Sequence, residues 1–191
     1  MGKGSLYRPV DTEKYYRNFD AIFRKEGAQM KSDWKLKFAE GDIIEMAFLG
    51  LFDVIAHGCN CKHVMGAGLA AQIKRRIPEA FWADMCTVPG NVKLGEISVA
   101  TSPAFSKSWR WGVDYPLVVV NMYTQINPGP YFDEQALVSC LQRLKKLFCS
   151  RRIGLPQIGC GLGGGDWGRV QKIMEQELHD QDVTVVLYKE N

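Results

Sequence analysis

The sequence has no apolar run approaching the roughly 20 residues that a membrane-spanning helix requires, so no membrane association is expected. Its opening stretch, Met1 to Arg24, is polar and charged and lacks the apolar centre of a secretory signal. Charge excess is also missing. The 24 Lys and Arg stand against 21 Asp and Glu, a formal +3, which excludes a binder driven by charge alone. Paired metal ligands are missing too. Cys59 and Cys61 form a C-x-C with His63 nearby, yet no second close Cys/His pair follows, and a zinc site wants four ligands at short paired spacings. No metal and no cofactor are expected. The six cysteines are scattered among long segments, which reads as reduced thiols in a cytoplasmic protein rather than as a disulfide framework. Two nucleotide-binding patterns are absent. There is no G-x-x-x-x-G-K-[ST], and neither glycine loop makes a G-x-G-x-x-G with an acidic partner about 20 residues on.

What remains is a chain of 191 residues with 46% hydrophobic and 11% aromatic content, enough for one well-cored domain. Residues 1–32 differ from the rest. Within them Asp11 to Lys25 is charged and aromatic, and Tyr15, Tyr16, Phe19, Ile22 and Phe23 suit one face of a short helix. This stretch is expected to be an appendage on a domain spanning residues 33–191.

Strands and helices alternate in that domain. Strands are expected from Leu36 to Gly41, Phe52 to His57, Ile97 to Ala100, Leu117 to Tyr123, Ile153 to Ile158 and Val183 to Tyr188. Helices are expected over Gly68 to Ile77, closed by Pro78, over Ala80 to Cys86, after Asp133, and over Trp167 to Leu178. The order implies a three-layer α/β/α sandwich on a mixed, largely parallel sheet. Ligands of such sheets lie beyond the carboxyl ends of the strands. The segments after Phe38, Ala56 and Ile158 are therefore the places to look.

The strongest local signal is Gly159-Cys160-Gly161-Leu162-Gly163-Gly164-Gly165-Asp166-Trp167, with five glycines in seven positions between a strand and a helix. Backbone N–H groups in such a loop, next to a helix N-terminus, suit a phosphate. A second candidate is Met65-Gly66-Ala67-Gly68-Leu69-Ala70, and two loops suit the two phosphates of a diphosphate. Between strand and loop lie His57 and Asn60. A histidine there suits proton transfer, or else a place in the core, and the asparagine suits a ligand hydroxyl. Asp42 either caps a helix starting at Ile43 or accepts an exocyclic amine of a base. Asp166 either caps the last helix or orients a water beside a phosphate.

Taken together, G-D-I after the first strand, H-G-C-N-C-K-H-V-M-G-A-G-L-A from His57 to Ala70, and L-P-Q-I-G-C-G-L-G-G-G-D-W resemble a macrodomain over Trp34 to Lys189. The likeness is to the branch that holds ADP-ribose 1″-phosphate phosphatase and terminal ADP-ribose glycohydrolase. It implies an ADP-ribose cleft, with Asp42 and Ile43 at the adenine and Asn60 near the distal ribose. Gly66, Ala67, Gly68 and Leu69 would form the first phosphate loop, Gly159, Cys160, Gly161, Leu162 and Gly163 the second, and Tyr123 would border the cleft. Two departures speak against a lysyl-adduct mechanism. Tyr123-Thr124-Gln125 stands where the glycohydrolase branch has a lysine, and Gly163 stands where it has an aspartate.

The expected activity is therefore a phosphatase on ADP-ribose 1″-phosphate, with His57, Asn60 and Asp166 as its catalytic group. The alternatives are a hydrolase that removes ADP-ribose from a modified protein or nucleic acid, and a module that binds ADP-ribose without chemistry.

Overall fold

The computed structural model describes residues 34–106 and 115–188. The expected appendage over 1–32 and its helix lie outside the described residues.

The strands are β1 Lys37–Glu40, β2 Val54–Asn60, β3 Ile97–Ser106, β4 Tyr115–Gln125, β5 Arg152–Pro156 and β6 Asp182–Leu187, with valine and isoleucine richest in β2, β4 and β6. They form one sheet in the order β1-β6-β5-β2-β4-β3. All neighbours are parallel except β3, which runs antiparallel to β4. The helices are α1 Ile43–Phe48, α2 Gly68–Arg76, α3 Pro78–Met85, α4 Glu134–Leu147 and α5 Trp167–Glu177. Asp42, Asp133 and Asp166 cap α1, α4 and α5 by accepting backbone N–H groups of the first turn. Pro78 opens α3, where its missing N–H costs nothing, and the chain before it leaves helical geometry at Ile77.

Alternation along the strands divides the core. Ile55, Leu117 and Val119 join Ile43, Ile44, Ile73 and Ile77 in one apolar cluster beneath α1–α3. Val118 and Val120 are also buried, and successive strand side chains point to opposite faces. That second face takes the stripe Leu137, Cys140, Leu141 and Leu144 of α4, which packs on β4. The three layers and mixed sheet are those expected.

One boundary differs in a way that matters for function. Strand β2 does not end at His57 but continues to Asn60, because β4 runs alongside it as far as Gln125. Pairing over that length is a property of the partner strand and cannot be read from the glycine and cysteines of the segment itself. His57 therefore lies inside the sheet, not at its edge.

Beside it the core holds a polar cluster. Asp84 on α3 is 1% exposed and accepts from Lys93 Nζ at 2.6 Å and from Tyr123 Oη at 2.9 Å. Lys93 Nζ also sits 4.0 Å from the centre of the Tyr123 ring. The tyrosine hydroxyl contacts Ser98 Oγ, and Ser98 accepts from Asn121. Removing one member of a buried ion pair leaves the other uncompensated. Lys93→Met is expected to lower the unfolding free energy by about 3 kcal/mol in urea titrations. An unchanged midpoint would show that the Asp84–Lys93 pair contributes nothing to the fold.

Candidate functional site

A cleft of about 550 Å³ opens beyond the carboxyl ends of β1, β6, β5, β2 and β4. Its two middle walls are rows of backbone N–H groups. On one side is the loop after β5. There Gly165 N donates to Gly159 O at 2.9 Å and Gly164 N to Gly161 O at 3.1 Å, which folds the loop back on itself. The N–H groups of Gly161, Leu162 and Gly163 make no hydrogen bond among the described residues. On the other side is the start of α2. Ala67 at its N-cap offers no side-chain acceptor, and the first bond of the helix is Ala71 N to Ala67 O. The amides of Gly68, Leu69 and Ala70 are therefore without a partner among the described residues, with the positive end of the helix dipole behind them. Such a pair of walls favours an anion.

The glycine loop owes its shape to Phe132, in the connection between β4 and α4. A Cβ on Gly159 would lie 2.2 Å from the Phe132 ring and one on Gly165 2.7 Å from it. The Phe132 amide also donates to Gly163 O at 3.2 Å. Gly159 has φ +76 as well, so a side chain there is excluded both by its neighbour and by its backbone. Gly161 has nothing near its missing side chain and faces open space.

At the β1 end stands Asp42. Its Oδ1 caps α1 through Ile44 N at 2.8 Å and Glu45 N at 3.0 Å, and its Oδ2 accepts from Arg76 Nη1 at 2.8 Å. Partial burial on its own raises the carboxyl's pKa, but the Glu45 amide and the Arg76 guanidinium outweigh it and hold the group below the usual carboxylate range. Both readings of Asp42 meet here, since it caps a helix and lines the cleft. Arg76, which also reaches Glu45, stands in the basic run Lys74-Arg75-Arg76, where no local pattern marks it as the partner of Asp42.

At the β4 end lie Thr124, Gln125, Pro128 and Gly129. None of these side chains ionises. Asn60 is close to them, but its amide is committed to its own loop. Oδ1 accepts from Lys62 N and Val64 N, and Nδ2 donates to Val64 O at 2.6 Å. That arrangement shapes the approach to α2.

The structure thus brings Asp42, Ile43, Asn60, Gly66, Ala67, Gly68, Leu69 and Gly159 through Gly163 to one cleft. It separates three residues from the roles expected of them. His57 borders the cleft floor, but its residue is only 1% exposed and its Nε2 lies 2.8 Å from Asn121 Oδ1. Burial lowers its pKa to about 4, against a smaller opposing effect of Asn121. The imidazole is held neutral and bonded to Asn121 within the core. Tyr123 is fully buried in the polar cluster and does not reach the cleft; the strand's alternation turns it away. Asp166 is exposed outside the cleft, and its Oδ1 accepts from Arg169 N at 2.9 Å, so the capping role is the one it fills.

Residues 56–174 match the Macro domain family. The chain belongs to that family. An uncharacterized 17.5 kDa protein of Enterobacteria phage T4 is 34% identical over 157 residues, covering 79% of this chain and 95% of the phage protein. The DNA ADP-ribosyl glycohydrolase of Mycobacterium tuberculosis is 26% identical over 159 residues, which is 80% of this chain but 42% of that enzyme. This chain therefore spans about two fifths of the glycohydrolase. The solved macrodomain of Mycobacterium tuberculosis DarG superposes with a TM-score of 0.62 at 24% identity, over 83% of this chain and all of that one, and so shares the fold. Among the described residues of this macrodomain, no helix is long and apolar enough to cross a membrane and no cluster of metal-ligating side chains occurs.

Two outcomes follow from the site's construction. Because the folded state holds His57 neutral to about pH 4 while an unfolded histidine protonates near its ordinary 6.5, the unfolded chain binds the extra proton between those values. Stability is then full above pH 7 and falls with acidification, by about 2 kcal/mol at pH 5 from this residue. His57→Gln should flatten that dependence in urea titrations at pH 7.5 and 5. Gly159→Ala should cost about 2–4 kcal/mol by steric conflict with Phe132, read as a drop in thermal midpoint; a neutral substitution would mean the loop is not packed on that ring.

Proposed function

We propose that the cleft binds ADP-ribose and that the protein is a hydrolase acting at the 1″ position of the terminal ribose. The observation that carries this reading is the pair of unpaired amide rows, Gly161 to Gly163 and Gly68 to Ala70, facing one cleft. They sit between an uncharged hydrogen-bonding end and the Asp42 end. From β1 to β4 the sheet order makes four inter-strand steps, roughly 19 Å at ~4.8 Å each. That length suits an extended nucleotide diphosphate sugar. In this pose Asp42 and Ile43 hold the base, the amide rows hold the diphosphate, and the terminal ribose lies towards Asn60, Thr124 and Gln125.

The chemistry rests on orientation and on backbone donors. With His57 in the core and Asp166 on a helix cap, Asn60, Thr124, Gln125, Pro128 and Gly129 offer no acid or base at the ribose end. Fixing the ribose against a water, with amides close to the developing negative charge, is the contribution this scaffold makes. The leaving group is read as a macromolecule. Asn127 and Pro128 beside that end are exposed, which leaves room for a large substituent, and the similar mycobacterial enzyme is a DNA ADP-ribosyl glycohydrolase. A second reading, ADP-ribose 1″-phosphate phosphatase, draws on Tyr123-Thr124-Gln125 and Gly163, which stand where the resemblance implies a lysine and an aspartate for a glycohydrolase.

The test sets purified full-length chain against ADP-ribosylated DNA, ADP-ribosylated protein and ADP-ribose 1″-phosphate, with ADP-ribose binding measured by calorimetry. Release of ADP-ribose from modified DNA or protein is expected. Phosphate release alone selects the second reading, and binding without turnover of any of the three makes the protein a reader. Failure to bind ADP-ribose rejects the assignment of the cleft.

A further inference from the structure

From Ala80 to Gly95 the chain holds two charged residues, Asp84 and Lys93, and they neutralise each other in the core. The outer surface of that segment is therefore uncharged. It is also apolar. Trp82 and Met85, one turn apart on α3, are exposed, Trp82 by 64%, and Val88 and Val92 in the connection to β3 are exposed by 71% and 75%. Large apolar side chains grouped on a surface mark an interaction site, and tryptophan and methionine are enriched in protein interfaces where charged residues are depleted. This surface runs up to the cleft. Gly90 N donates to Cys61 O at 2.9 Å, Cys61 N donates to Gln125 O at 3.0 Å, and His63 Nε2 lies 3.2 Å from Thr87 Oγ1. Those contacts set the 87–92 connection beside the β4 end of the cleft, and Val64 of the adjoining turn is both exposed and part of the cleft lining. The edge of the surface is basic. Lys62 of that turn is exposed, and so is Lys74, whose Nζ lies 3.8 Å from the centre of the Phe81 ring, itself 5.7 Å from that of Trp82. Against these two lysines stands Glu79, half-buried in the first turn of α3.

We propose that the face formed by Trp82, Met85, Val88 and Val92, edged by Lys62 and Lys74, is a docking surface for a polypeptide segment whose apolar side chains are flanked by acidic ones. The segment belongs to the macromolecule that carries ADP-ribose, so the proposal rests on the reading of the cleft and adds what lies beyond the 1″ position. An apolar centre contributes most when an equally apolar partner excludes water from it, with Trp82 as the anchor. The lysines at its edge complement carboxylates, steer the encounter and reject a basic segment. A nucleic-acid strand is the poorer fit. It needs cations along its phosphates, and the outer surface from Ala80 to Gly95 offers none.

The test measures affinity by calorimetry on the full chain for ADP-ribose and for three conjugates joined to its 1″ position by an uncleavable linkage. One carries a peptide of Leu, Phe and Glu, the second the same peptide with lysine in place of each Glu, and the third an oligothymidylate. Because the linkage is not cut, the result does not depend on turnover. Wild type should bind the acidic conjugate about tenfold more tightly than ADP-ribose, and the lysine conjugate no more tightly than ADP-ribose. Trp82→Ala and Val88→Asp should each remove most of that gain. Both should leave ADP-ribose affinity and the thermal midpoint unchanged, because the two side chains are largely exposed. The proposal is overturned if the acidic conjugate gains nothing over ADP-ribose, if the gain survives both variants, or if the lysine conjugate gains equally. A gain confined to the oligothymidylate conjugate and lost in Trp82→Ala overturns it in favour of a nucleic-acid face. If wild type binds no ADP-ribose, the reading of the cleft falls and the docking proposal falls with it.

Discussion

The site depends on one aromatic ring packed against a loop whose positions facing it, Gly159 and Gly165, are glycines. Phe132 occupies the space that Cβ atoms on Gly159 and Gly165 would need, and its amide ties down Gly163. The loop is held by that ring and by its own Gly165–Gly159 and Gly164–Gly161 bonds, which leaves the amides of Gly161, Leu162 and Gly163 without a partner among the described residues. Glycine is required for contact as much as for flexibility. The loop is thereby shaped before any ligand arrives, which reduces the ordering cost of binding.

The rest of the cleft follows the same division of labour, in which side chains build the frame and the backbone meets the ligand. Asn60 holds the turn before α2, Gln125 holds the turn before Phe132, and Asp42 is braced by Arg76. Behind the sheet edge, the Asp84–Lys93–Tyr123 cluster anchors α3 and the segment entering β3 to β4. His57 extends that cluster through Asn121. The histidine and tyrosine that flank the site in sequence thus pack in the core, and Thr124, Gln125, Pro128 and Gly129 at the β4 end of the cleft carry no ionising side chain.

Membership of the Macro domain family is established by residues 56–174, and it agrees with the element order read along the chain. Several features were legible because they are local. Asp42, Asp133 and Asp166 sit where helix caps are needed, Pro78 stands between two helices, and the glycine loops lie between strand and helix. Each is decided by residues within a few positions of one another. The extent of β2 was not legible, and with it the place of His57. The bonds that carry β2 past His57 to Asn60 are made to β4, more than sixty residues on in the numbering.

The amino-acid sequence by itself determined the layering, the parallel sheet with its cleft at the carboxyl ends, and the two glycine loops. Periodicity, caps and glycine placement act over a few residues and need no partner to be read. Only the tertiary structure decided which polar side chains line the cleft. His57 and Tyr123 turn into the core, Asp166 stays on its cap, and Thr124 and Gln125 come to its β4 end. Orientation on a strand is set by which neighbour the strand pairs with and which face a distant helix covers, and those are contacts between segments far apart in the chain.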